Sequence, residues 1–383
     1  MQSSLLLIFE KIVCYLIGLL PLMLITGSFL PDLFICISDI IILFLIIKNK
    51  YWKFFLNNFS IFFLIWYLYL VFLSLNSEYI LHSFESSLFY FRFGLFSISI
   101  WYLLESLNKD LFIKIFIISI SFSFIILIID SFFQFFHGSN LIGFPYNSGR
   151  LTSFFGDERI LGSYLSRMIP ILFAVLFLNY YKLKNFTIFA IIVLILSDII
   201  IYLSGERTAF FYLILFSILV IFLTKKFKIL RLSALIVSLI IVFVLSLNFS
   251  SVKNRMVNRT IDQIYSGDPN TDEKKVNIFT VQHETIYKTA FKIFKDNIII
   301  GIGPKNFRKV CEKEQYKTFT EQDRSIDGCQ AHPHNTYLQL LTETGVIGFL
   351  VLFFLFLYIN YMFFRHKYLD IIKNIVLYSD YQI

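Results

Sequence analysis

Residues 111–136 read LFIKIFIISISFSFIILIIDSFFQFF, with Lys114 and Asp130 the only charges, and this stretch decides the class of the chain. A helix needs roughly 20 such residues to cross ~30 Å of hydrocarbon. In lipid a backbone satisfies its polar groups only in helices or closed barrels, and a run this long and continuous does not fit a barrel strand. Further runs of the same kind lie near 8–28, 32–48, 55–75, 83–104, 160–180, 186–203, 208–224, 231–249 and 336–362. A chain of 383 residues that is 57% hydrophobic and holds 48 Phe is no ordinary soluble domain. The first run carries neither a basic leader nor a small-residue cleavage site, so it does not read as a signal peptide. The expected fold is all-α, a polytopic transmembrane bundle of about ten spans.

Lys and Arg outnumber Asp and Glu by 34 to 26, which invites a nucleic-acid reading until the charges are placed. Lys48, Lys50 and Lys53 share one short connection, Lys109 and Lys114 flank another, and Lys182 and Lys184 sit in a third. Lys225, Lys226, Lys228 and Arg231 make a fourth, and Arg365, Lys367 and Lys373 follow the last long span. Every second connection is therefore basic, as expected of cytoplasmic loops. A nucleic-acid tail would gather its charge in one block, so no nucleic-acid partner is expected. The pattern predicts both termini in the cytoplasm. It divides the chain into nine spans with short loops over 1–249, a large outer loop over 250–335, and a last long span with a cytoplasmic tail over 336–383. Long translocated loops escape the charge rule, so the charge within 250–335 is compatible with this topology.

Cys14 and Cys36 fall in spans, where the thiol behaves as a small apolar group. Cys311 and Cys329 share the outer loop. In an oxidising compartment they can close a disulfide, and no other cysteine competes on that side; two free thiols are the alternative. Residues 281–296 read as an amphipathic helix, with Ile286, Ala290, Ile293 and Phe294 on one stripe and Lys288, Lys292 and Lys295 near the other. It could lie on the membrane surface and admit a lipid-linked substrate sideways, or simply pack within the loop.

Three polar clusters stand out against this apolar background. The first runs from Gly149-Arg150 to Asp157-Glu158-Arg159 after the fifth span, with Arg167 further on, inside the sixth. An interfacial arginine can simply snorkel to headgroups, but a guanidinium within a span normally faces a polar cavity. The second, Ser204-Gly205-Glu206-Arg207-Thr208-Ala209, is a short turn between two spans. Arg207 offers a permanently charged planar fork suited to phosphate; a Glu206–Arg207 pair, or an ion network including Asp198, is the structural alternative. The third is His332-Pro333-His334-Asn335, followed by Leu338, Glu343, Gly345 and Gly348. Asn335 is a good N-cap for the last long helix, which sets His334 at the positive helix end and favours its neutral, basic form. An H-x-H pair without further ligands is a thin metal set, so no metal and no cofactor is expected.

Taken together, Ser204–Ala209, Gly301-Ile302-Gly303-Pro304-Lys305-Asn306-Phe307, and His334-Asn335 with Leu338, Glu343, Gly345 and Gly348 resemble the O-antigen ligase and polymerase superfamily of bacterial envelope glycosyltransferases. The segment from Arg150 to Gly162 is similar to that family's loop after the fifth span. The likeness covers about 140–350. Family members commonly carry one or two more spans after the long loop, whereas here only Ile371–Tyr378 is apolar. The resemblance implies a polyprenyl-diphosphate-linked glycan donor used at the periplasmic face of the bacterial inner membrane, among membrane lipids, with no metal or nucleotide sugar. It implies that Arg207 and Arg150 hold the diphosphate and His334 acts as general base. His332, Arg159, Arg167, Glu206, Asn335 and Glu343 would then contact substrate. The acceptor would be a lipid A-core in a ligase or another lipid-linked glycan in a polymerase, with the ligase preferred for its single large outer loop. From a different class, a transporter would use Arg92, Asp130, Arg167 and Asp198 as a translocation path.

Overall fold

The computed structural model describes residues 2–147, 149–180, 184–224, 227–265, 278–319 and 327–379. The expected loop cations Lys182, Lys225 and Lys226 lie outside the described residues. In chain order the helices are α1 (Gln2–Gly18), α2 (Leu20–Met23), α3 (Phe29–Asn49), α4 (Asn58–Leu75), α5 (Ile80–Ser87), α6 (Phe91–Glu105), α7 (Lys109–His137) and α8 (Leu161–Tyr180). They continue as α9 (Lys184–Leu203), α10 (Arg207–Leu223), α11 (Lys228–Asn248), α12 (Ser250–Lys253), α13 (Arg259–Ile264), α14 (Val281–Asp296), α15 (Phe307–Val310) and α16 (Thr336–Ser379). The fold is all-α and polytopic, and each apolar run of the sequence falls on a helix. Among the described residues six helical stretches are long and apolar enough to cross a membrane, and a seventh is Leu5–Gly18 with Leu20–Thr26 if that pair, bent by 43°, counts as one span. Leu161–Phe177, Thr187–Leu203 and Arg207–Leu223 are apolar but shorter. Large side chains such as Phe222 and Ile229 stay exposed on the helix surfaces, as lipid-facing positions do.

The chain divides into two compact units, one made of Met1–Asn57 with Arg92–Val276 and the other of Asn58–Phe91 with Asn277–Ile383. The first unit has two cores. Val13, Ile17, Ile42, Ile46, Leu103 and Phe112 join α1, α3, α6 and the start of α7; Phe124, Leu165, Leu194, Ile200 and Leu213 join α7, α8, α9 and α10. Between α9, α10 and α11 lies a fully buried ion pair. Arg231 donates to both carboxylate oxygens of Asp198 at 2.8 and 3.1 Å and to Ser217 Oγ, while Ser238 donates to Asp198 Oδ2. Arg231, which the sequence places among loop cations, is thus a core residue. The charged positions that suggested a translocation path are mostly satisfied locally. Asp198 is paired, Arg92 meets Asp32 at 3.3 Å, and Asp130 accepts from the Leu141 amide, Asn140 and Ser153.

In the second unit, Asn335 caps α16, its Oδ1 accepting from the Tyr337 and Leu338 amides at 3.0 and 3.2 Å. The helix is broken at Gly345, whose φ is +66°. The Ile298–Gly303 turn seats against this break, with the Ile302 and Gly303 amides donating to the Thr342 and Glu343 carbonyls and the Val346 amide to Ile298. A Cβ on Gly301 would stand 2.5 Å from the Glu343 carbonyl carbon, and one on Gly345 would run into the Ile299 carbonyl. Both glycines also have positive φ, which glycine alone adopts without penalty. The two glycine motifs of the sequence are therefore two halves of one interlock.

The apolar stripe of α14 faces this interlock. Ile286, Ala290 and Ile293 form a small core with Ile302, Phe307, Val310, Cys311 and Tyr316, and Thr342 Oγ1 reaches the Ala290 carbonyl. That is the packing within the loop that residues 281–296 also allowed. Cys311 and Cys329 are disulfide-bonded with Cα atoms 5.1 Å apart.

Candidate active site

The polar clusters of the sequence assemble into one centre in each unit. In the first unit, Asp130 and Gln134 at the end of α7 hold the following loop. Gln134 Oε1 accepts from the Thr152 and Ser153 amides at 3.0 and 2.9 Å, and its amide nitrogen donates to the Phe144 carbonyl. The Leu151 amide then donates to the Leu203 carbonyl at 3.3 Å, which carries Arg150 to the α9–α10 turn. There the chain passes through Gly205, where a Cβ would meet Arg150 Cγ at 2.9 Å and Arg255 Cγ at 3.1 Å. Arg255 Nε donates to the Gly205 carbonyl, and Arg207 donates to Gln263 Oε1 and the Arg255 carbonyl.

Arg150 and Arg255 thus meet at a residue without a side chain, and Arg207 reaches the Arg255 carbonyl beside them. Burial, and after it the nearby charge of Arg259, holds the Arg255 guanidinium below its usual range. Among the described residues none of these four arginines is ion-paired, and Arg207 Nε is buried without a hydrogen-bond partner. Like charges gathered without an ion-paired carboxylate among the described residues are unfavourable unless an anion joins them. Forked guanidinium donors suit a phosphate bidentately. Arg255 and Arg259 carry no sequence motif. Arg255 sits in a π-helical turn, Asn254–Asn258, of the kind that recurs at functional sites, and helical spacing alone does not announce it.

The remaining candidates on this side are placed differently. Glu206 does not pair with Arg207. Its carboxylate accepts from the Gly162 amide at 2.7 Å and from the Ser163 amide and hydroxyl at 3.0 and 2.6 Å, capping the N-terminus of α8. Burial pushes this carboxyl up, and the Ser163 and Gly162 hydrogen bonds with the Arg167 charge pull it back. Arg167 is exposed on α8 and acts on Glu206 through its charge. Arg159 is exposed and shares with Arg150, Asn147 and Asp157 a cavity of about 210 Å³.

In the second unit, His332 and His334 have ring centroids 4.2 Å apart, and His283 of α14 lies 5.8 Å from His334. His334 precedes the Asn335 cap and has φ of +53°, a conformation that costs a non-glycine residue of order 1 kcal/mol or more and is held here by the cap that follows. The imidazole is solvent-accessible, but the desolvation it feels, then the charges of His332 and His283, push its pKa below the usual histidine value. The lowering favours the neutral imidazole, whose lone pair can act as a base. Among the described residues no group of three or more His, Cys, Asp or Glu is placed to hold a metal ion. Glu343 is buried under the interlock, where Gln339 donates to its Oε2 at 3.2 Å, and it borders a cavity that also receives His332. His283 was not apparent from sequence because it sits 49 positions before His332, outside the His-Pro-His motif.

A comparison with protein-family models matches O-Antigen ligase over residues 190–353. No curated protein and no solved structure matches the chain. The matched stretch runs from within α9 through the Gly205 turn, the arginines at 255 and 259, the glycine interlock and the capped histidines into α16. Over this stretch, somewhat under half of its length, the chain is similar to the O-antigen ligase family.

Proposed function

We propose that this protein transfers a glycan from a polyprenyl-diphosphate carrier onto a lipid A-core acceptor at the periplasmic face of a bacterial inner membrane, without a metal ion. The observation that carries the reading is the uncompensated arginine group around Gly205. A diphosphate is the leaving group such a group suits, because negative charge grows on it as the glycosidic bond breaks. Preorganised donors aimed at developing charge are commonly the largest catalytic term. In this reading His334 takes the proton from an acceptor hydroxyl, the oxygen attacks the anomeric carbon, and the carbon–oxygen bond to the diphosphate breaks. The carrier departs as its diphosphate, held by Arg150, Arg207 and Arg255. Base catalysis supplies ~10²–10⁴-fold on its own, so most of the acceleration falls to the arginines. His332 supports the base, and Arg159 and Arg167 face the entering substrate. The alternating basic loops support the assignment of faces.

The test is transfer by purified protein given lipid-linked donor and lipid A-core extracted from the bacterium that carries the gene. His334→Ala is expected to abolish transfer while still inserting and eluting as a folded species; near-normal transfer by that variant removes the mechanism. Deletion of the gene separates the two members of the superfamily. Bare core with polymer accumulating on the carrier identifies a ligase, whereas core capped by a single repeat identifies a polymerase.

A further inference from the structure

Beside the histidine pair, wholly within the second unit, is a cavity of about 520 Å³ whose lining includes Trp66, Tyr90, Lys305, Arg308, His332 and Glu343. Two of its wall residues carry buried polar atoms without partners. Glu343 Oε1 is a buried acceptor with no well-formed hydrogen bond, although the Lys305 and Phe307 amides and Gln339 lie close to the carboxylate, and Arg308 Nε is a buried donor with none. Glu343 itself is 7% exposed. The two side chains do not form an ion pair among the described residues, although Arg308 is near enough to act on the carboxylate by its charge. An unsatisfied buried polar atom costs about 1–3 kcal/mol, more when charged. Such a pair therefore persists where something else completes it.

The complement is specific. A phosphate would answer Arg308 and be repelled by Glu343, and a lipid chain would leave both unsatisfied. A hydroxyl donates to one and accepts from the other. Trp66, Leu70, Leu340 and Leu352 give the same cavity an apolar wall, the mix of apolar faces and few fixed polar groups that ligand sites use. Its rim is His332, 4.2 Å from the His334 ring. We infer that this cavity is the acceptor-sugar pocket, holding a neutral, hydroxyl-bearing ring between Trp66, Glu343 and Arg308 so that one of its hydroxyls meets the imidazole pair. This rests on the glycosyl-transfer reading above and adds which residues select the acceptor.

The experiment is steady-state transfer by the full-length protein with the extracted donor and core acceptor, each varied in turn. Glu343→Gln and Arg308→Met are each expected to raise the acceptor KM at least tenfold and to leave the donor KM within twofold. A methyl glycoside of the acceptor's terminal sugar should inhibit wild type competitively against acceptor and lose potency in both variants. Using two variants guards against one failing to fold, which thermal unfolding of each checks. If the wild type transfers in a His334-dependent way but both variants keep their acceptor KM, or the glycoside competes with donor, the cavity holds only water and the inference is overturned. Absence of His334-dependent transfer in the wild type would instead remove the parent reading.

Discussion

Arg231 and Arg207 stand 24 residues apart in one helical unit, and their surroundings could hardly differ more. Arg231 is enclosed between three helices, with its guanidinium answered by both oxygens of Asp198 and by Ser217. Arg207 stands at a helix start among Arg150, Arg255 and Arg259, with a neutral Gln263 and a carbonyl as its partners. The first arrangement is closed and has no capacity left for a ligand. The second is a charge surplus held together by backbone contacts through Gly205. An arginine among apolar helices therefore signals function by its missing counter-charge and not by its presence.

The comparison breaks first at the closed network. Arg231→Met leaves the Asp198 carboxylate buried and unpaired, which is expected to cost roughly 3–5 kcal/mol. It would appear as a lower unfolding temperature and yield of the detergent-solubilised protein. Changing Asp198→Leu in the same chain should recover most of the loss, since apolar replacement of a whole buried pair is often neutral. A single Arg231→Met variant as stable as wild type would show that this network does not hold α9, α10 and α11 together.

The open cluster should respond in the opposite way. Arg207→Ala is expected to lower kcat by about 10²–10³-fold, the usual effect of losing one charge-stabilising donor, with the unfolding temperature little changed. Arg207→Lys should restore little, because an ammonium is a point charge without the planar fork. Arg255→Ala should fall in the same direction although no motif marks it. Stability loss in either variant comparable to that of Arg231→Met would erase the distinction between the two regions.

The second unit offers a contrast of the same kind between a staple and a reacting group. Replacing Cys311 and Cys329 by Ser opens a loop whose closure is worth about 2–4 kcal/mol. Unfolding of the α14–α15 region, followed by hydrogen exchange, should become easier, with the remaining helices unaffected. Full protection there in the double variant would show that the core of Ile286, Ile293 and Phe307 suffices by itself.

Much of this was legible in the sequence. Continuous apolar runs fixed the helices because lipid leaves the backbone no other choice. The Asn335 cap followed from residue type and position alone, and the glycine motifs marked sharp turns. What could not be read is which segments meet. Gly301 and Gly345 are explained only by each other, and Arg255 gains its meaning from a contact with Gly205 fifty positions away. Glu206 looked like a partner for Arg207 by adjacency, yet a helix N-terminus 43 positions upstream claims its carboxylate. Arg231 read as a loop cation because its counter-charge lies on another helix. Local chemistry follows from the sequence, whereas charge compensation is a property of the packed state.

The smallest expected effect separates the roles within the histidine pair. Desolvation lowers the His334 pKa first, and repulsion from His332 and then His283 lowers it further. A base with a lowered pKa stays unprotonated to more acidic pH, so the acid limb of the kcat/KM profile for transfer should lie below the pH at which an ordinary histidine titrates. His332→Gln removes one repulsive charge, which makes protonation of His334 easier and moves the acid limb to higher pH. His283→Gln should move it the same way by less. Both variants should keep activity on the alkaline side well above that of His334→Ala. Loss of all transfer in His332→Gln, at every pH, would assign the proton transfer to His332 and leave His334 as its positioning neighbour.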